Sequence, residues 1–201
     1  MPAVATVRKT EPLDELTLRR AQRGEERAWR ALIERYQGPV HALVWRLLAG
    51  RARHRVEDLV QETFVRVLRA LPEWNPAGSA SLQTWMLTIA ARVALNELRR
   101  PEMAGIVDEP AAPRGERADA SAERQRLGAA ICAAVAALPD AQRAVFVLRE
   151  YHELEYDDIA SALELDLNTV KSRLSRARSA MRAHLEAALP GLRDELGKGR
   201  T

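Results

Sequence analysis

The stretch "NTVKSRLSRARSAMR", Asn168 to Arg182, decides how this chain is read. It holds five cationic side chains and no acid, whereas the fifteen residues before it, His152 to Asp166, hold six acids and neither Lys nor Arg. On a helix, Val170, Leu174, Ala177 and Met181 form one apolar stripe that must face a core. Turned outward are Lys171, Ser172, Ser175, Arg176 and Ser179, with Arg178 and Arg182 at the margins. Short hydroxyl side chains between the cations let a partner's backbone come close. Asp166 is placed to cap the first turn, just ahead of Thr169, where a carboxylate also suits the positive helix terminus.

Immediately upstream, "YDDIASALELD" supplies Ile159, Ala160 and Leu163 as a second apolar stripe, and only about three residues separate the two helices. Two short helices joined so tightly, the second basic and outward-facing, make a helix-turn-helix. The second helix then enters a major groove, where Arg or Lys donates to guanine and phosphates, while acids on the first helix stay off DNA or meet a protein. A merely solvated cationic face is the competing reading. The tight turn and the matching stripes count against it.

The whole chain frames this. Its 201 residues suit one ordinary domain or two small ones, and 47% hydrophobic content calls for a packed core. Lys plus Arg number 31 against 28 for Asp plus Glu, a net +3, so the distribution of charge says more than its sum. Cys132 is the single cysteine, which excludes an internal disulfide and favours a reducing cytoplasm. The start "MPAVATVRKT" lacks a signal-peptide core, and the longest apolar run, Ala129 to Leu138, is far below the roughly 18 residues of a membrane span. His41, His54, His152 and His184 stand apart, without ligand spacing, and no Gly-rich phosphate loop, GxSxG or HExxH occurs. Neither a metal, a cofactor nor an enzymatic activity is expected.

Strand-like alternation is nearly absent, so the expected class is all-α: two small helical domains joined by a flexible linker, the C-terminal one a helix-turn-helix. Helices are predicted over about Leu13 to Arg23, Glu25 to Ala49 with a bend or break at Gly38-Pro39, Arg55 to Leu71, and Ser81 to Arg100. "PEMAGIVDEPAAPRGERADASAER" then reads as linker, and its roughly 24 residues allow a root-mean-square span of about 27 Å, enough for the domains to sit apart. Four more helices are predicted, over about Ala122 to Ala137, Asp140 to Tyr151, Tyr156 to Leu163 and Asn168 to Leu189. The boundaries are 1–100 for the first domain, 101–121 for the linker, 122–189 for the second domain and 190–201 for a frayed tail.

Within the first domain, Leu59, Val60, Phe64, Val67, Leu68 and Leu71 make a broad face expected to be buried. Asp58, Gln61, Glu62, Val65 and Arg69 lie opposite, an acidic face with one aliphatic residue that suits a protein partner better than DNA. The polar loop "PEWNPAGSAS" follows, and beyond it Leu82, Trp85, Met86, Ile89, Ala90 and Val93 point inward, leaving Thr84, Thr88, Arg92 and Arg99 along another side.

"LPDAQRAVFVLREYHELEYDDIASALELDLNTVKSRLSRAR", Leu138 to Arg178, resembles region four of bacterial RNA polymerase sigma factors, especially the extracytoplasmic-function (ECF) class. "EDLVQETFVRVLRAL" and "TWMLTIAARVALNELRR" resemble region two of the same class, in the same order. The resemblance covers about three quarters of the chain and implies a non-enzymatic initiation subunit, whose partners would be core RNA polymerase, promoter DNA and an anti-sigma factor, with no membrane insertion. It assigns polymerase binding to Asp58, Gln61, Glu62 and Val65. The minus-ten element falls to Trp74, Asn75, Ser79, Thr84, Thr88 and Arg92, a base stacked on an aromatic ring or held in the loop offsetting the cost of unstacking. The minus-thirty-five element falls to Thr169, Lys171, Ser172, Ser175 and Arg176, with Arg149 and Tyr156 near the turn as phosphate contacts. Three positions depart from the family pattern: Glu164 and Glu153 replace frequent glycines, which puts non-glycine residues at positions suited to positive φ, and Arg92 stands where asparagine is usual. The rival readings are a self-sufficient dimeric helix-turn-helix regulator on a palindromic site and a protein-only adaptor whose basic helix meets an acidic partner.

Overall fold

Side-chain caps set some of the helix starts. Asp14 accepts from the Thr17 amide at 2.9 Å to begin α1 (Glu15–Gln22), and Ser81 caps α4 (Leu82–Leu98) through the Thr84 amide at 3.1 Å. Between them run α2 (Glu26–Leu47) and α3 (Val56–Ala70). Downstream come α5 (Ala120–Ala137), α6 (Asp140–Glu150), α7 (Tyr156–Leu163) and α8 (Leu167–Ala188). This computed structural model describes residues 10–49, 51–78, 80–100 and 120–190. Among them every regular element is helical, as the apolar spacing predicts. Most of the expected linker, most of the expected tail and Ser79 lie outside the described residues.

Helices α1 to α4 pack around α2 to form one unit, and α5 to α8 form a second. Leu32, Tyr36, Leu43, Leu47, Leu59 and Met86 are fully buried in the first; Leu138, Leu148 and Ile159 are fully buried in the second. The stripe Val170, Leu174, Ala177 and Met181 faces the core of the second, as expected.

Three features differ from the sequence-based expectation. No break occurs at Gly38-Pro39: α2 continues as one helix past it, with Pro39 itself buried. An internal proline costs about 3 kcal/mol, less than is gained where Tyr36, Val40 and Leu43 pack on both sides of it. Leu68, expected in the buried face of α3, is 47% exposed, because Phe64, Val67 and Leu71 already fill the contact with the neighbouring helices. Finally, α4 buries a wider face than predicted, since Leu87, Ala91, Ala94 and Leu98 join the predicted inward residues. So wide an apolar face needs neighbours on more than one side. Its second neighbours are α6 and α7, so the two units pack against each other here, although the linker length would let them part.

Arginines supply the polar part of that seam. Arg143, on α6 and only 5% exposed, donates to the carbonyls of Val135, Ala136 and Leu138 around the end of α5, and across the seam to Leu47 at the end of α2 at 2.9 Å. Asp140 sits 3.2 Å away as its counter-charge. Burial pulls the guanidinium below its ordinary range and Asp140 acts in the opposite direction. Arg51 reaches across to Asp140 at 2.7 Å, and the Arg46 guanidinium lies 4.3 Å from the centre of the Tyr151 ring. Replacing Arg143 by Met takes this donor from four helix-end carbonyls and leaves Asp140 with Arg51 alone. The expected cost is about 3 to 5 kcal/mol in urea unfolding, with Lys recovering only part of it.

His152 follows Tyr151 into the interior, and both its ring nitrogens are buried without a hydrogen-bond partner among the described residues. Burial, reinforced by the Arg46 charge, lowers its pKa from 6.5 to about 3. The folded protein therefore keeps the ring neutral while the unfolded chain protonates it near pH 6.5. Its contribution to stability is complete above that value and is lost as pH falls toward 3. Thermal melts should show the protein weakening by of order 2 kcal/mol between pH 6.5 and 5, with a flatter profile for His152→Met.

Candidate nucleic-acid and protein interfaces

Asp166 accepts from the Thr169 amide at 2.8 Å and its hydroxyl at 2.6 Å, fixing the first turn of α8. Those bonds, the hydroxyl's foremost, hold the Asp166 carboxyl below its usual range, so it stays ionised at the positive end of the helix. Entry into that cap runs through Glu164, the C-cap of α7, in the left-handed region at φ 55. Glu153 has φ 56 in the turn before α7. Both acids thus occupy the conformation that a glycine adopts without strain.

From this cap α8 projects Lys171, Ser175 and Arg176 into solvent, with Ser172 and Thr169 half-buried at their side. Neither Lys171 nor Arg176 makes an ion pair within the described residues, while Arg178 one turn on is bound twice by Glu150, at 2.9 and 2.6 Å. The helix thus neutralises Arg178 internally and leaves Lys171 and Arg176 unspent. Arg149 differs from them: it donates to the Leu154 carbonyl at 2.8 Å, pairs with Glu155 at 3.2 Å and lies 5.2 Å from the centre of the Tyr156 ring. In this arrangement it braces the turn between α6 and α7. Tyr156 is half-buried against the core.

On the first unit, Thr84, Thr88 and Arg92 recur every four residues along one side of α4. Thr88 donates to the Thr84 carbonyl at 3.0 Å. Arg92 is turned onto the second unit, giving its Nε to the Ala162 carbonyl at 3.0 Å and its Nη2 to Ser161 at 2.8 Å. The loop before α4 is drawn in by Gln22 of α1, whose amide donates to the Trp74 carbonyl at 2.8 Å and the Leu71 carbonyl at 3.2 Å. Asn75 accepts from the Ala77 amide at 2.9 Å, closing an Asx-type turn. Trp74 and Trp85 pack together with ring centroids 6.1 Å apart, each half-buried against the core. The third surface is the outer side of α3, where Asp58, Gln61 and Val65 are exposed and Glu62 is half-exposed. Leu68 extends its apolar part, so that Val65 and Leu68 form an aliphatic pair among charges.

Comparison with known proteins follows this division. Residues 32–102 match the model for sigma-70 region 2, and residues 129–181 match sigma-70 region 4. The RNA polymerase sigma-H factor of Pseudomonas aeruginosa is 31% identical over 192 residues, covering 90% of this chain and 97% of that one. The ECF RNA polymerase sigma-E factor of Escherichia coli K12 is 32% identical over 181 residues, 84% of this chain and 92% of its own.

The chain belongs to the ECF sigma factors.

The fold agrees. CnrH, solved in complex with the cytosolic domain of CnrY, superposes with a TM-score of 0.59 at 24% identity, over 87% of this chain and 97% of that one. The sigma factor RpoE of Bartonella quintana, solved with the anti-sigma factor NepR, gives 0.57 at 20% identity, over 78% and 96%. Within this sigma factor, most of α2 with α3 and α4 falls in region two, and the second half of α5 with α6, α7 and most of α8 in region four. A free-standing dimeric regulator would have no use for the region-two half. Two contributors escaped the sequence reading. Gln22 lies upstream of the matched region, and only its proximity to the loop reveals it; Leu68 looked like core because periodicity cannot tell a filled contact from an open one. Gln22→Ala should speed amide exchange in residues 72–78 by roughly 5- to 10-fold, through loss of bonds worth about 1 kcal/mol each.

Proposed function

We propose that this sigma factor binds core RNA polymerase through the outer side of α3, reads the minus-thirty-five element with α8, and helps open the minus-ten element with the loop at residues 72–80 and α4. It is an initiation subunit with no catalytic chemistry of its own, acting in the cytoplasm. The observation that carries this is the pair of uncompensated cations, Lys171 and Arg176, on the exposed face of a capped second helix. They stand where phosphates and guanine edges would meet them, while Asp166 is taken up by the helix cap, Glu150 by Arg178, and Asp157 and Asp158 lie on α7. On α3, Asp58 and Glu62 frame Val65 and Leu68 in a face of the composition that protein partners use. Trp74, beside a loop pinned by Gln22, offers a stacking surface for an unpaired base without demanding that the loop reorganise. An anti-sigma partner would compete for the same α3 and α4 surfaces, as the family relation supports.

Reconstituted transcription with core polymerase tests the assignment. The wild-type chain should co-purify with core enzyme and start transcription at a defined promoter, whereas Val65→Glu should lose co-purification and keep its melting temperature. Arg176→Ala should weaken promoter binding by about 1 to 3 kcal/mol if Arg176 reads a base edge, chiefly on the preferred sequence. An equal loss on all sequences would reassign it to phosphate.

A further inference from the structure

A cleft of about 310 Å³ opens between the end of α4 and the helix-turn-helix. Its apolar wall comes from both units: Leu95 and Leu98 on α4, Leu163 at the end of α7 and Leu165 in the turn. Leu95, Leu163 and Leu165 are only half-buried, so the core behind them does not use up their surface. The turn makes much of this wall. Glu164 lies in the left-handed region at φ 55, and the Leu165 amide folds back to donate to the Ala160 carbonyl at 2.9 Å. Had the helix continued, Leu163 and Leu165 would point about 200° apart. The reversal at Glu164 brings both to one cleft.

Charge along the cleft is uneven. Asp140 and Glu164 line it, but each is engaged by arginines from outside: Asp140 by Arg51 at 2.7 Å and Arg143 at 3.2 Å, Glu164 by Arg92 at 3.6 Å. Arg99 and Arg173 also line it, and neither makes an ion pair among the described residues. Arg99 donates to the Asn96 side-chain oxygen at 3.3 Å, which leaves its charge unanswered. Arg173 lies two residues past Lys171, about 200° round α8, and so faces away from that cation. Two guanidiniums without a counter-charge, set beside four leucines, have the composition of a site for an anion with an apolar body. A bare phosphate would leave the leucines wet, and a neutral apolar molecule would leave the cations unanswered. The volume stands at the lower end of ligand pockets, roughly 300 to 1,000 Å³, which suits a short acyl chain or a pair of fused rings.

We infer that this cleft binds a small organic carboxylate, its head held by Arg99 and Arg173 and its apolar body laid against the leucines. The site stands apart from the promoter and polymerase assignments. Because its walls belong to different units, a ligand there contacts both and adds its binding free energy to the stability of the whole chain. The helix-turn-helix thereby carries an input for a small molecule behind α8, through residues that neither reach for DNA nor lie on α3.

Isothermal titration calorimetry and thermal melts of the full chain test this. The probes are octanoate and naphthoate, which carry the two kinds of apolar body, naphthylmethylammonium, which reverses the charge, and acetate, which is the head alone. Octanoate, naphthoate or both should bind and raise the melting temperature with concentration, the tighter of the two telling an acyl ligand from an aromatic one. The ammonium probe and acetate should give no heat of binding. Arg99→Ala and Arg173→Ala should each weaken binding about fivefold, and Arg173→Lys should recover part of the loss. Ala141→Trp, at an exposed position lining the cleft, should abolish binding and leave the melting temperature of the unliganded protein unchanged. Arg99 and Ala141 are both exposed, so these two variants keep the test decisive if Arg173→Ala does not fold. Absence of binding by both carboxylates with apolar bodies, equal binding of the ammonium probe, or binding untouched by Arg99→Ala and Ala141→Trp overturns the site.

Discussion

Arg143 is the residue on which the rest of the molecule depends. One guanidinium closes the end of α5, is balanced by Asp140 at the start of α6, and reaches the last carbonyl of α2 in the other unit. A buried cation is tolerable only when nearly all its donors are used, and here they are used on helix ends, whose carbonyls would otherwise be orphaned. The same device recurs at smaller scale. Arg51 serves the end of α4 and Asp140, and Arg92 serves the end of α7. The seam between the units is thus a set of arginines answering helix C-termini. Such contacts are directional and hydrated at their edges, so they fix one arrangement without the irreversibility of a wide apolar interface.

Electrostatics divides the surface into zones with separate tasks. Acids gather on α3 and α7, and cations gather on the first turns of α8. Where the two kinds meet within region four, they neutralise each other, as Glu150 does Arg178. The net charge of +3 is therefore a poor guide to behaviour, because Lys171 and Arg176 present their charge locally and without internal competition. Hydroxyls at Ser172 and Ser175 keep the same surface low enough for a sugar-phosphate chain to lie on it.

Much of this was legible from residue order. The stripe Val170, Leu174, Ala177 and Met181 and the Asp166 cap follow from local chemistry, the positive φ at Glu153 and Glu164 from the family resemblance, and the structure shows each of them. What escaped is what depends on distance in space. Pro39 was expected to bend or break α2, and only the packing of residues around it shows why the helix does not end there. Leu68 could not be sorted from Val67 without knowing which contact was already full. The bonds of Arg92 to α7 could not be read, because its sequence neighbours say nothing of a helix some seventy residues away. The brace that Arg149 forms was hidden likewise, since the turn it holds is made by residues that follow it.

All four tryptophans, at 29, 45, 74 and 85, belong to the first unit; the second has none. Ultraviolet emission from this protein therefore watches one half of the molecule and is blind to the other. Trp74 and Trp85 are near enough to share excitation, and Trp74 borders the loop proposed to receive an extruded base. A nucleobase stacking there would quench that light, giving strand separation an optical signal that needs no added dye.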